Sequence, residues 1–164
     1  MTTRKLPLAE AVLLAALLSL IVLAASAAPG NPGQVMFTGG VRPDDRTAED
    51  VVLMVEVADQ CLYAEVHPSG RFVLWVPAGA QATVAFSKPG FLTKEIALDA
   101  RHSMASKNTA RANRKVGFDV ILEDARKRSG RRYDGPVGTL GFNKGTGAVR
   151  ARHTLKVVAA PGQE

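Results

Sequence analysis

The sequence GRFVLWVPAGAQATVAFSKPGFLTKEIALD, residues 70–99, decides the fold. Apolar and polar residues alternate along it, and two short segments, Pro77–Gly79 and Lys88–Gly90, interrupt the alternation. A period of two residues is typical of a strand that rests one face on a core. Proline and glycine between such runs favour tight turns, and Pro89 followed by Gly90 suits a type II turn. The stretch therefore predicts three consecutive strands joined by turns.

The same alternation predicts which side chains of these strands face the core. They are Phe72, Leu74 and Val76, then Ala82, Val84 and Phe86, then Leu92, Ile96 and Leu98. Lys94 interrupts the third set, and a lysine in such a place is expected to extend its amine into solvent. Trp75 falls on the opposite face of the first strand, where packing beneath the segment 101–115 is expected.

The rest of the chain supplies further strands. Val51–Ala58 is so rich in apolar and β-branched residues that burial of both its faces is expected, and a tight turn is predicted at Asp59–Gln60. After a basic excursion at 101–115, strands are predicted near Thr139–Phe142 and over 150–157. Several short strands separated by turn signals predict an all-β protein, a small β-sandwich of Greek-key type with about seven strands.

Composition fits one globular domain. The chain has 164 residues, 46% hydrophobic and 22% charged, which is enough to build a core. The net charge of +6 favours anionic partners without naming one. A single cysteine, Cys61, excludes an internal disulfide, and its apolar neighbours predict a buried structural thiol.

The N-terminus has the order of an export signal. Arg4 and Lys5 precede an apolar run, Ala11–Leu23, which is followed by the small residues ASA at Ala25–Ala27. This order predicts a signal peptide that is cleaved after the ASA sequence. The alternative is an uncleaved signal anchor, in which residues 6–28 contact the membrane.

The chain is accordingly divided into four parts. They are a signal peptide or anchor at 1–27, a Pro/Gly linker at 28–34, a sandwich at 35–158 and a tail at 159–164. The basic start places the N-terminus on the cytoplasmic side, so the sandwich is expected in the periplasm, the outer envelope or the medium. A single-pass, membrane-anchored form is the alternative.

The turn and core pattern resembles that of carboxypeptidase regulatory-like domains, which are related in shape to transthyretin and to bacterial B-type repeats. The matching positions are Gly70, Phe72, Leu74, Val76, Pro77, Gly79, Pro89, Gly90 and Phe91. The resemblance is close over residues 70–99 and loose over 35–123, and the usual Pro-x-x-Gly-Ala step is replaced by RTAEDVV. It implies a β-sandwich that is usually non-catalytic and accompanies envelope or secreted machinery, and it implies no particular ligand.

No residue spacing in the chain predicts catalysis. A zinc carboxypeptidase site uses a His-x-x-Glu pair, and none of His67, His102 and His153 is followed by glutamate at that distance. The segment GFNKGTG, residues 141–147, lacks the residue order of a phosphate-binding P-loop and reads as a hairpin loop. No metal and no cofactor are therefore expected.

The basic runs are the best candidates for a binding site. Their residues are Arg126, Lys127, Arg128, Arg131 and Arg132. An envelope protein or an anionic envelope surface, such as one bearing lipid phosphates, would suit them, while export and scarce aromatic residues disfavour nucleic acid. A solvated loop is the alternative reading of these runs.

The preferred function is an exported, non-catalytic module that binds or scaffolds cell-envelope components. One alternative is a membrane-anchored accessory subunit of an envelope complex. A further alternative is a small secreted hydrolase or carbohydrate-binding protein that uses Trp75 or a histidine.

Overall fold

The structure is a computed structural model that describes residues 33–44, 47–128 and 130–160. The predicted signal segment, residues 1–27, lies outside the described residues, as do the rest of the linker up to Pro32 and the last four residues of the tail. Within the described residues, no helix is long and apolar enough to cross a bilayer.

The described residues form twelve strands and one short α-helix, α1 (Lys107–Ala112). The strands are β1 (Gln34–Pro43), β2 (Val52–Val57), β3 (Gln60–Ala64), β4 (Arg71–Pro77), β5 (Gln81–Ser87), β6 (Lys94–Asp99), β7 (Lys115–Gly117), β8 (Val120–Leu122), β9 (Arg131–Tyr133), β10 (Gly138–Phe142), β11 (Val149–His153) and β12 (Val157–Ala159). The prediction of an all-β sandwich is confirmed.

Two sheets enclose the core. The smaller sheet has the order β4-β1-β7, with β8 also paired to β1, and the larger has the order β11-β10-β6-β5-β2-β3. β1 pairs antiparallel to β4 but parallel to β7 and β8, and β10 pairs parallel to β6. β9 and β12 form a separate two-stranded ribbon. The first and last strands of the larger sheet, β11 and β3, are therefore its two edges.

The core consists of the inward rows of both sheets. Phe72, Leu74 and Val76 of β4 and Ala82, Val84 and Phe86 of β5 are buried, as their alternation predicts. Phe72 makes edge-to-face contacts with Phe86 and Phe118, with ring centroids 5.2 and 5.3 Å apart. Such pairs add specific geometry to the burial of apolar area. The stretch 70–99 thus supplies much of the core.

The turns follow the predicted chemistry, with one shift. Gly90 has φ of 81°, as a type II turn after Pro89 requires. The β2–β3 hairpin turns at Ala58 and Asp59, which have φ of 48° and 62°, one residue earlier than the prediction. Two positive φ values are typical of a type I′ turn, whose twist matches that of the flanking strands.

The prediction that Val51–Ala58 is buried on both faces is wrong. Leu53 and Val55 are buried, whereas Val52 is 45% exposed and Glu56 is exposed. At β2, therefore, the larger sheet buries only the face that carries Leu53 and Val55. An apolar run can therefore belong to a one-sided strand.

The excursion at 101–115 is fastened to the sandwich rather than loosely attached. Ser106 caps α1 by accepting the amide proton of Thr109 at 3.2 Å. Asn113 is buried, and its side-chain amide donates to the carbonyl oxygens of Ser103 at 2.9 Å and Gly147 at 2.7 Å. These bonds tie the excursion to the β10–β11 hairpin.

Candidate binding groove

An open groove lies between the two sheets, where β6, β10 and β11 face β8. Its volume is about 290 Å³, which suits a few side chains and falls below most small-molecule sites. Its apolar lining includes Ile96, Phe118, Ile121, Val137, Leu140 and Leu155. Ile121 and Leu155 are 58% and 64% exposed, so they form an apolar rim that is open to solvent.

One end of the groove holds an ion cluster around Glu123. Lys94 donates to Glu123 Oε1 at 2.9 Å, and the Tyr133 hydroxyl donates to the same oxygen at 2.6 Å. Arg128 Nε donates to Oε2 at 2.8 Å. The Lys94 amine also lies 5.3 Å from the centre of the Tyr133 ring, within cation–π range. Both carboxylate oxygens are therefore occupied by donors.

The expectation that Lys94 reaches into solvent is wrong. Lys94 is 9% exposed, because it faces inward on β6 and opposes Phe86 of β5 across the sheet. A buried ammonium is costly unless it is paired, and Glu123 supplies the pair from the segment that follows β8. Sequence spacing could not reveal this partner, since the two residues are 29 positions apart.

The contacts within the cluster shift the pKa values of Glu123 and Tyr133 away from neutral pH. Partial burial alone would raise the pKa of Glu123, but hydrogen bonds from Tyr133, Lys94 and Arg128 outweigh it and lower that pKa to about 2. Burial, together with the hydrogen bond to Glu123, raises the pKa of Tyr133 to about 12. Near neutral pH the carboxylate stays ionised and the phenol stays protonated.

Stability is expected to fall in acid because of Glu123. Its folded pKa of about 2 lies below the ordinary value of 4.5, so the stabilisation is complete above pH 4.5 and is lost as pH falls through 2. The full shift corresponds to about 3 kcal/mol. Screening by solvent reduces this to about 2 kcal/mol, because a quarter of the side chain is exposed.

Urea unfolding of the unmodified chain and of Glu123→Gln between about pH 5 and pH 2 measures this contribution to stability. The free-energy difference between them should shrink in acid, and a constant difference would contradict the pKa of Glu123.

Three of the five basic residues predicted as an anion site already have carboxylate partners. Arg126 pairs with Asp124, Lys127 with Asp44, and Arg128 with Glu123. These three residues lie within the 3₁₀ turn at 125–128, and their ion pairs keep them from forming one open cationic cluster. Arg131 and Arg132 lie exposed on β9, where neighbouring residues point to opposite sides. Binding of an anion by the five residues stays a prediction.

The structure adds two arginines that the sequence did not single out as a site. Arg150 and Arg152 lie on β11, opposite Gly141 and Thr139, on the outer face of the larger sheet. Neither has an ion-pair partner among the described residues. Their alternation along the sequence indicated a strand, but only the sheet order shows that this strand is an edge.

Two other predicted environments are wrong. Cys61 is exposed, because β3 is an edge strand with a neighbour on one side only. Trp75 is 46% exposed on β4 rather than covered by the segment 101–115. Among the described residues, no group of three or more His, Cys, Asp or Glu side chains could hold a metal ion.

Comparisons with known proteins add little to this geometry. No protein-family model matches the chain, and no curated protein matches it. One similar solved structure is a chain in a type II cohesin–X-dockerin complex from Acetivibrio cellulolyticus, a C-terminal interface mutant. The identity is 18% and the TM-score 0.35, over 54% of this chain and 56% of that one. The chain thus spans about half of that structure's length, and a likeness of this size carries no functional conclusion.

The class of the protein follows from its own fold and groove. It is an all-β sandwich with an open, apolar groove between its sheets and a closed ion cluster at one end of that groove.

Proposed function

We propose that this chain is an exported, non-catalytic β-sandwich of the carboxypeptidase regulatory-like kind, which binds a protein of the cell envelope through the groove. The observation that carries the proposal is the combination of an apolar, solvent-open rim at Ile121 and Leu155 with fully paired ionic groups beside it. Two exposed apolar side chains that border one groove offer a place where a partner's apolar side chains could pack.

The ion cluster supports binding rather than acid–base chemistry. A general base or acid works best when its pKa lies near the operating pH. Glu123, with a pKa of about 2, is a weak base, and Tyr133, with a pKa of about 12, keeps its proton. Each oxygen of Glu123 already accepts at least one hydrogen bond, so a substrate proton would have to compete with these donors.

The charge of the molecule favours an acidic partner. The chain carries 21 lysine and arginine residues against 15 acidic ones, and exposed Arg131 and Arg132 lie in the ribbon that supplies Tyr133. The occupant that fits best is a segment of an envelope protein that places apolar side chains between Ile121 and Leu155 and carries acidic residues beside them. Opposite charges would raise the rate of association more than they would raise the affinity.

Site-specific photocrosslinking in the native host tests the proposal. A benzophenone side chain at position 121 reports on the groove, and one at position 73, on exposed Val73 of β4, is the matched control. A discrete adduct with an envelope protein is expected from position 121 alone. Leu155→Asp should reduce its yield at least about tenfold, because a charge would replace apolar contact at the rim. The uncrosslinked protein is expected to begin at Ala28.

Three results would contradict the proposal. Equal adducts from positions 121 and 73 would show that the groove is not selective. An adduct that Leu155→Asp leaves unchanged would place the contact elsewhere. Hydrolysis of ester or peptide substrates by the purified chain, abolished by Glu123→Gln, would show that the site is catalytic.

A further inference from the structure

The two edges of the larger sheet differ in charge. β3 contains no charged residue, but Glu56, Asp59 and Glu65 lie exposed beside it. β11 carries Arg150 and Arg152, and Lys144 lies in the turn before it. None of these six residues has an ion-pair partner among the described residues. One edge is therefore flanked by acids and the other by bases.

The two edges also match in length and in the direction of their side chains. Both strands have five residues. In β3, Leu62 opposes buried Val55 and so points to the core side, whereas Cys61 and Tyr63 point outward. In β11, Ala151 opposes buried Leu140 and points to the core side, whereas Arg150 and Arg152 point outward. Each strand thus alternates in the order inward, outward, inward, outward, inward.

The edge strands run in the same direction. Four of the five pairings between β11 and β3 are antiparallel and one, β10 with β6, is parallel. An even number of reversals leaves β3 and β11 parallel. A second copy placed beside the first without inversion would therefore set its β11 against β3 as a parallel neighbour, with the core faces of both sheets on the same side.

We propose that β3 pairs with β11 of a second copy, so that copies assemble head to tail into a continued sheet. Aligned residue by residue, Tyr63 lies beside Arg152 of the second copy, and Cys61 beside its Arg150. Tyr63 is 77% exposed, and a guanidinium over its ring would gain a cation–π contact. On the core side, Leu62, which is 57% exposed, would cover Ala151 at the border of the groove.

Charge selects this pairing over a symmetric one. If β3 paired antiparallel with β3 of a second copy about Leu62, Asp59 of each copy would oppose Glu65 of the other. Like charges directly opposite each other in a sheet are destabilising. In the β3–β11 junction no such repulsion arises, and Glu56 and the second copy's Arg150 flank Cys61 on the same outer face. An exposed edge strand without a charge of its own, such as β3, is the kind that adds a neighbour.

The junction is small, so reversible association is expected. Five-residue strands bury less area than a standard interface, and parallel pairing is slightly less stable per residue. Sedimentation velocity of the chain isolated from its host, from about 10 µM to about 1 mM, covers the affinity range of such contacts. Species larger than dimers should appear as concentration rises, and salt should weaken them.

Two single variants and their mixture test the pairing. Tyr63→Lys places a lysine against Arg152 of the next copy, and Arg152→Glu places a glutamate against the acid-flanked β3. Each variant alone should associate at least about tenfold more weakly. An equimolar mixture should associate again, because each variant supplies the edge that the other lacks. Arg111→Glu, on exposed α1, is the matched charge control and should behave like the unmodified chain.

Four outcomes would overturn the proposal. If the chain stayed monomeric at every concentration, β3 would not pair with β11 of a second copy. Undiminished association of Arg152→Glu together with weakened association of Tyr63→Lys would indicate β3–β3 pairing, and a monomeric mixture would exclude complementary edges. Association unaffected by either variant would place the contact elsewhere in the chain, including its apolar N-terminal run. Association of the unmodified chain without a photocrosslink at position 121 would support the junction and contradict only the proposed groove.

Discussion

Replacing Glu123 with alanine is expected to lower the free energy of unfolding by about 3 to 5 kcal/mol. The change leaves the Lys94 ammonium, whose side chain is 11% exposed, without its carboxylate. Tyr133 and Arg128 lose their acceptor as well. Urea unfolding at neutral pH, followed by circular dichroism, measures the loss.

The control for this prediction is an exposed pair of the same kind. Asp134 pairs with Lys156, and their side chains are 42% and 68% exposed. Asp134→Ala should cost far less than Glu123→Ala, because exposed pairs contribute little. The double change Lys94→Met with Glu123→Leu should recover at least half of the loss, since it removes both charges. Equal costs for Glu123→Ala and Asp134→Ala would show that the cluster is not desolvated.

Gly39→Ala is expected to cost at least about 3 kcal/mol or to prevent folding. A β-carbon on Gly39 would overlap the carbonyl oxygen of Phe118 and would lie 3.1 Å from Cζ of Phe72. This carbonyl group belongs to the backbone of Phe118, which is held in place by a hydrogen bond. Its amide donates to the carbonyl oxygen of Thr38 at 3.0 Å, in the ladder that joins β1 to the β7–β8 segment. Yield of folded protein and urea unfolding together measure the effect.

Gly117→Ala is the matched control for Gly39→Ala. Both residues are strand glycines without a positive φ value, and a β-carbon on Gly117 would meet only the carbonyl oxygen of Thr38, at 3.8 Å. That is an ordinary van der Waals distance, so a change within about 1 kcal/mol is expected. If both variants lost the same stability, the cost would come from glycine replacement in general and not from the approach at Phe118.

Local sequence was sufficient wherever a side chain's environment depends on its own strand and turns. The alternation in 70–99 predicted the buried rows of β4 and β5, and Pro89–Gly90 predicted its turn. These features follow from a two-residue period and from the φ preferences of proline and glycine. They are set within a few residues, so no knowledge of distant segments is needed.

The burial predictions were wrong where burial depends on segments that are distant in sequence. Cys61 was expected inside because its neighbours are apolar, but β3 has one neighbour and is exposed. Lys94 was expected outside because it is charged, but a glutamate 29 residues away pairs with it. In both cases the residue type alone predicted the wrong environment, because contacts with distant segments determine whether the side chain is buried.

By itself, the sequence determined that the protein is all-β, that residues 70–99 fold as consecutive strands, and which residues of β4 and β5 form the core. Only the tertiary structure decided that Glu123 joins Lys94 and Tyr133, that Gly39 touches Phe118, and that an acid-flanked β3 and a basic β11 form opposite edges of one sheet. The physical reason is the separation along the chain over which each interaction acts. Backbone preference and side-chain alternation act between near neighbours in the chain, whereas ion pairing, close backbone approach and edge exposure depend on contacts between residues far apart in sequence.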